Sequence, residues 1–325
     1  ILAFLFGFGL FRQLPRGPKF AFRRSAVLAA FGLMHGFLLW TGDILVLYAC
    51  TAAVVTAFFR TAGPRTLLAW AAALLACPAL GVGLLVPISK MAPEEFAKAV
   101  AESRQKEQEG KILDTRTYSS GSFIEITRRR VAAYSDELKS MVWGLSPSVL
   151  GMFLLGLRAG RLGWFDGDTS HFRRRLFYAA PIGLMTSAYA AANALGLSQL
   201  EKIDWGVFFG AAADSAASVF LSQAYIASVV LFGDRMRLFQ AVGRMALSNY
   251  LLTSIVMTFF FNGYGAGYFG KMSRFQLLHV VLAMWAINLI WSPIWLRSFR
   301  YGPAEWAWRS LTYWEKQPMR IGAAS

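Results

Sequence analysis

Charge is scarce in this sequence. Asp, Glu, Lys and Arg make up 16% of its 325 residues, against about a quarter in soluble domains, while 56% are hydrophobic. The apolar residues come in long blocks instead of an amphipathic period. Several blocks approach the roughly 20 residues a helix needs to cross hydrocarbon. This excludes an ordinary soluble domain, and the lack of weak strand-like alternation excludes an outer-membrane barrel. Acidic residues are scarcer still, 18 against 33 basic ones, for a net charge of +15. A nucleic-acid binder is not the reading, because the basic residues sit in short clusters between apolar blocks, as in loops facing the cytoplasm. The two cysteines, Cys50 and Cys77, each fall inside an apolar run. They exclude a disulfide framework and a thiolate metal site, and read as small packing residues. No metal is expected. Phosphate loops of the Walker type, HExxH and GxSxG are all missing, so spacing alone names no reaction.

What is present is an all-α pattern: a polytopic transmembrane bundle of about eight full spans plus a truncated first helix, with one extramembrane helical insert. Residues 1–88 hold the first membrane helices. Ile1 lies inside an apolar segment without a start methionine, so an N-terminal truncation is expected. In the first helix, Gly7 and Gly9 would let backbones approach closely. Further segments are predicted over 25–40, 44–59 and 66–86, the last kinked at Pro78. Residues 89–140 are charge-rich and read as two helices, the first opened by Pro93-Glu94-Glu95, the second covering 123–138. Residues 141–297 supply the segments 141–157, 176–197, 205–232, 238–261 and 276–296, with a short loop at 198–204. Residues 298–325 form a basic, aromatic tail. The arginine-rich loops alternate with the poorer ones, which puts the C-terminus in the cytoplasm and the insert outside. The protein is then a multi-pass protein of the cell inner (plasma) membrane, with the bilayer as its partner.

Of three histidines, His35 alone is not flanked by loop or helix-end signals; it lies inside an apolar run about a turn and a half before a polar corner at Trp40-Thr41-Gly42-Asp43. Histidine is costly in lipid unless it faces protein or water, and it transfers protons near neutral pH. The same residue equally suits a hydrogen bond between packed helices. Asp214, Ser218 and Ser222 are four apart and share a helix face, which reads as a wet cavity or as a small-residue seam. Arg244, with Asn249 and Tyr250 following within two turns, suits a phosphate or carboxylate; snorkelling to headgroups is the plainer reading of Arg244. The motif Gly302-Pro303-Ala304-Glu305-Trp306-Ala307-Trp308-Arg309 suits either folding back on this end or anchoring at the interface.

Three stretches together resemble one family: FGLMHGFLLWTGDILVLYA (31–49), GMFLLGLRAGRLGWF (151–165), and AVGRMALSNYLLTS (241–254) with GPAEWAWRSLTY (302–313). They resemble the YeiB family, also called the domain of unknown function 418, and LFGFGL (5–10) and SSGSFIEITRRR (119–130) fit too. The resemblance implies a further N-terminal helix or two, a bacterial inner-membrane location and distant similarity to transmembrane acyltransferases. Those move an acyl group from a cytoplasmic acyl-CoA to a hydroxyl or amine on the outer side, using a membrane histidine.

The leading expectation is therefore a transmembrane acyltransferase. His35 would be the general base and Asp43 would orient it or the acceptor. Arg23, Arg24, Arg244, Asn249 and Tyr250 would hold the acyl-CoA, and the acceptor would be a small molecule. The rival is a proton-coupled transporter or exporter of a small solute working through Asp214 and His35. A membrane subunit without chemistry is a third reading. Homo-oligomerisation is left open.

Overall fold

The computed structural model describes residues 1–143, 146–197 and 204–322. Among them thirteen α-helices follow one another: α1 (Leu2–Gln13), α2 (Pro18–Leu38), α3 (Leu45–Val54, continued by a π turn over Val55–Phe59), α4 (Pro64–Met91), α5 (Pro93–Ser120), α6 (Phe123–Trp143), α7 (Ser146–Arg161), α8 (His171–Leu197), α9 (Trp205–Phe232), α10 (Arg237–Arg244), α11 (Ala246–Phe261), α12 (Arg274–Ser298) and α13 (Pro303–Tyr313). No strand is formed among these residues; a single bridge joins Phe299 to Arg320.

Local signals set many of the ends. Gly63 and Pro64 open α4, since a proline at the first helical position gives up an amide that would have no partner. Glu94 and Glu95 occupy the first turn of α5, where a carboxylate meets the positive end of the helix dipole. Ser122 and Glu125 make a reciprocal cap for α6, with Ser122 N donating to Glu125 Oε2 at 2.8 Å and Glu125 N to Ser122 Oγ at 3.4 Å. Ser273 and Gln276 do the same for α12. Asp204 accepts from Val207 N at the start of α9; the rest of the loop expected there lies outside the described residues.

Two compact units draw on interleaved stretches of chain. The first comprises Ile1–Phe22, Leu47–Lys106 and Ser140–Gly233, and the second Arg23–Val46, Glu107–Lys139 and Asp234–Ser325. In the first unit α1 packs on α7, and α4 on α7 and α9, while α8 pairs with α9. Gly7 bears out the close approach expected of it: a Cβ there would overlap the backbone of Phe153. In the second unit α10 packs against α12, and α11 against α13. Asp114 of α5 and Arg129 of α6 form an ion pair at 2.7 Å, tying together the two helices predicted for the insert.

Among the described residues three helices are long and apolar enough to cross a membrane: α4, the stretch Trp205–Arg235 built on α9, and α12. Their outward faces are greasy, with Leu84 67%, Trp285 64% and Ile290 62% exposed, which suits lipid and not water. The fold is thus the all-α membrane class the sequence implies. The span count is smaller by length and hydropathy among the described residues. The segments at α3, α7 and α11 are short, and α2 and α8 open with basic residues.

Three local expectations change. The segment predicted over 238–261 is not one helix: α10 and α11 meet at Met245 with their axes 79° apart, and only if this bent pair is one span does the number reach four. Met141 to Trp143 belong to the end of α6 instead of opening the next segment. Cys50 and Cys77 are exposed on α3 and α4, so they do not serve as interior packing.

Candidate functional site

The break at Met245 leaves the first amides of α11 without intrahelical acceptors. Glu305, near the start of α13, fills the gap. Its Oε1 accepts from Leu247 N at 2.6 Å and Ser248 N at 3.1 Å, and its Oε2 takes the Ser248 hydroxyl. Ala304 N donates to Ser248 Oγ at 3.0 Å. The tail motif therefore folds back on this end, and a carboxylate sits at the positive end of the α11 dipole. This contact sets where the rest of α11 begins, including Tyr250 and Ser254.

α2 ends at Leu38, the chain turns through Trp40 to Asp43, and α3 starts at Leu45. Asp43 Oδ2 accepts from Val46 N at 2.9 Å, so one carboxylate oxygen caps α3 and the other is left for a partner. That partner is His35, whose Nδ1 lies 3.0 Å from Asp43 Oδ1. On its far side His35 Nε2 lies 2.8 Å from Ser254 Oγ of α11. Tyr250, one turn earlier, brings its hydroxyl to 3.4 Å from both Asp43 Oδ1 and His35 Nδ1, and its ring packs 4.7 Å from the imidazole. His35 is 1% exposed and Asp43 0%. Gly36, next to His35, has no room for a side chain, since a Cβ would run into the Tyr134 ring.

Asp43, His35 and Ser254 thus form one hydrogen-bonded line. The pattern fits a proton on Nδ1 held by Asp43, leaving Nε2 to accept from Ser254. Ser254 Oγ has a second acceptor, the Tyr250 carbonyl at 3.2 Å, but imidazole is the nearer and the more basic. The line ends at a cavity of about 720 Å³ in the second unit. Tyr250 and Ser254 line it, with Trp40, Tyr118, Arg130 and Asn262. His35 does not: a molecule in the cavity meets the imidazole through the hydroxyls of Ser254, on Nε2, and Tyr250, near Nδ1. The arrangement can draw a proton from a hydroxyl at the cavity wall and stabilise the resulting imidazolium, the chemistry needed to activate a nucleophile.

The other predicted residues lie elsewhere. Asn249 is buried and fully engaged, its Nδ2 donating to Ser292 Oγ at 3.0 Å and its Oδ1 accepting from Trp291 Nε1 at 3.0 Å. These bonds join α11 to α12. Arg244 is exposed and donates to the Arg300 carbonyl at 3.2 Å. The Arg24 guanidinium lies 3.6 Å over the Trp308 ring, while the Trp308 indole donates to the Arg24 carbonyl. Arg23 is half-buried one residue earlier on α2. None of the four lines the cavity. In the first unit Asp214 lines a cavity of about 430 Å³ with Ser187 and Asn193 of α8. Ser222 is buried and donates back to the Ser218 carbonyl at 2.6 Å, whereas Ser218 is exposed. Among the described residues no three His, Cys, Asp or Glu side chains gather as a metal site would require.

Two residues of this site escaped sequence reasoning. Ser254 looks like one more small hydroxyl in an apolar helix; the available signal is its position four residues after Tyr250, on the same face. Arg130 looks like one of three arginines on a solvated insert helix, and nothing in Arg128-Arg129-Arg130 says which one is buried.

A family model described as "Protein of unknown function (DUF418)" matches residues 159–315. The chain is 32% identical over 344 residues to the uncharacterized protein YxaH of Bacillus subtilis (strain 168), covering 98% of this chain and 80% of the relative. It is 30% identical over 320 residues to the uncharacterized protein YeiB of Escherichia coli (strain K12), covering 96% of this chain and 80% of the relative. No solved structure matches significantly. With identity at that level along nearly its whole length, the chain belongs to the DUF418, or YeiB, family.

Proposed function

We propose that this protein is a transmembrane acyltransferase that moves an acyl group from an acyl-CoA to a hydroxyl or amine acceptor, with Ser254 as the group that meets the substrate. The observation that carries this reading is that the Ser254 hydroxyl lines a substrate-sized cavity while bonded at 2.8 Å to a buried histidine, itself backed by a buried aspartate. In the first half-reaction Ser254 Oγ attacks the thioester carbonyl, and its proton passes to His35 Nε2 while Asp43 holds the imidazolium through Nδ1–H. The carbon–sulfur bond breaks and His35 returns the proton to the leaving thiolate. In the second half-reaction the acceptor gives its proton to His35 and attacks the Ser254 ester; Ser254 regains the proton as the product leaves. Arg23, Arg24 and Arg244 are the proposed contacts for the CoA phosphates. Asn249 drops out of that role because its amide is spent on Ser292 and Trp291. The proposed setting is the inner membrane with the C-terminus cytoplasmic, so that CoA arrives from inside.

The test is transfer or hydrolysis of labelled acetyl-CoA by the purified full chain in detergent. Removing an activating base costs on the order of 10²-fold or more, so His35→Ala and Asp43→Asn should lose activity while keeping their elution profile. Unchanged turnover by His35→Ala sinks the proposal. A second reading, proton-coupled transport of a small solute, draws on the cavity at Asp214. It requires proton-driven flux in proteoliposomes that Asp214→Asn abolishes.

A further inference from the structure

The proposed chemistry leaves one wall of the larger cavity unused. Arg130 lines it and is only 2% exposed. A guanidinium stays charged at any physiological pH, and a buried charge without a counter-ion is expensive. The groups it meets are neutral. Arg130 Nη1 donates to the Leu38 carbonyl at 2.6 Å, and its guanidinium lies 5.7 Å from the centre of the Tyr118 ring. The one carboxylate on the cavity wall, Asp114, is taken by Arg129. Among the described ion pairs Arg130 has no acidic partner. The wall also presents apolar side chains, Leu39, Met257, Phe261 and Phe269, beside the hydroxyls of Thr253 and Thr258.

We infer that this cavity binds an anionic amphiphile, its phosphate or carboxylate against Arg130 and its hydrocarbon against Met257, Phe261 and Phe269. A ligand of that class supplies the missing counter-charge and covers the apolar wall, and about 720 Å³ lies in the usual range for small-molecule sites. The inference deepens the acyl-transfer reading by naming what class of molecule stands before Ser254; only the claim that this molecule is a substrate rests on that reading. The anion can come from a bilayer phospholipid or from a soluble amphiphilic acid, and both present the same chemistry.

The experiment is calorimetric titration of the purified full chain, in a nonionic maltoside, with octyl phosphate and with neutral octyl glucoside. Octyl phosphate should bind saturably and octyl glucoside should not. Losing one partner of a buried charge contact should weaken octyl phosphate at least about tenfold in Arg130→Gln, with Arg128→Gln, an exposed neighbour, unchanged. Met257→Trp, which fills the hydrocarbon end, should block binding with Arg130 intact; it serves if Arg130→Gln does not fold. Displacement by phosphatidylglycerol but not by octanoate identifies a lipid source, displacement by octanoate alone a soluble one, and displacement by inorganic phosphate alone overturns the amphiphile. Equal binding of the two octyl compounds, or wild-type affinity in a folded Arg130→Gln, overturns the inference. His35→Ala should bind octyl phosphate normally, so failure of catalysis and failure of this site are read separately.

Discussion

Replacing Glu305 with Gln probes how the tail and the catalytic helix are connected. The carboxylate accepts two backbone amides and a hydroxyl at the start of α11. Gln keeps one acceptor oxygen but turns an amide donor toward the N–H groups, leaving at least one of them unmatched. A charge-assisted hydrogen bond contributes about 1.5–3 kcal/mol, and loss of a helix cap about 1 kcal/mol. Glu305→Gln should therefore destabilise the second unit by about 1.5–3 kcal/mol. Unfolding followed by tryptophan fluorescence in mixed micelles, at increasing fractions of a denaturing detergent, measures this. Ser248→Ala removes the hydroxyl that the same carboxylate takes, so the two changes should couple by about 0.5 kcal/mol or more in a double-mutant cycle. Because the cap fixes where α11 begins, the variant should also lose acyl transfer out of proportion to its loss of stability. A change below about 0.3 kcal/mol, or full additivity with Ser248→Ala, would refute the view that Glu305 sets this helix start.

Two further outcomes follow from local geometry. Asn249→Leu should cost about 1–3 kcal/mol by stranding the Trp291 indole N–H in the same unfolding assay, while leaving octyl phosphate binding unchanged, since Asn249 bonds Ser292 and Trp291 and does not line the cavity. Glu125 has a pKa below its ordinary 4.5, through the backbone N–H of Ser122 first and its hydroxyl second. A carboxylate with a depressed folded pKa stabilises above its unfolded pKa and loses that contribution as pH falls through the folded value. The start of α6 should therefore loosen as pH falls through the lowered folded value, with a Glu125 carboxyl titration midpoint, read by NMR, that moves only part of the way back to 4.5 in Ser122→Ala because the backbone donor remains.

Legibility in the sequence followed the range of the interaction. His35 and Asp43 are eight residues apart across one tight corner, so their pairing could be anticipated from composition and spacing. The start at Pro93-Glu94-Glu95 is also local, and the second insert helix begins at Phe123 as expected. Ser254 was hidden because a hydroxyl in an apolar helix is ordinarily satisfied by its own backbone; only the third dimension turns it toward His35. The break at Met245 was hidden because the apolar pattern runs on across it, and the acceptor that makes the break tolerable lies about 60 residues later at Glu305. Arg130 was hidden by its exposed neighbours. Residue type and place along the chain single out Arg23, Arg24, Arg244 and Asn249, but neither says whether a side chain faces a ligand, an indole ring or a carbonyl.

The most direct measurement is intact-protein and peptide mass spectrometry after brief mixing of the full chain with acetyl-CoA. The account predicts one added acetyl group on the peptide carrying Ser254, absent in Ser254→Ala and in His35→Ala, and lost when a competent acceptor is supplied. Acyl transfer that proceeds at the normal rate in Ser254→Ala, with no acetyl group ever found on that peptide, would contradict it.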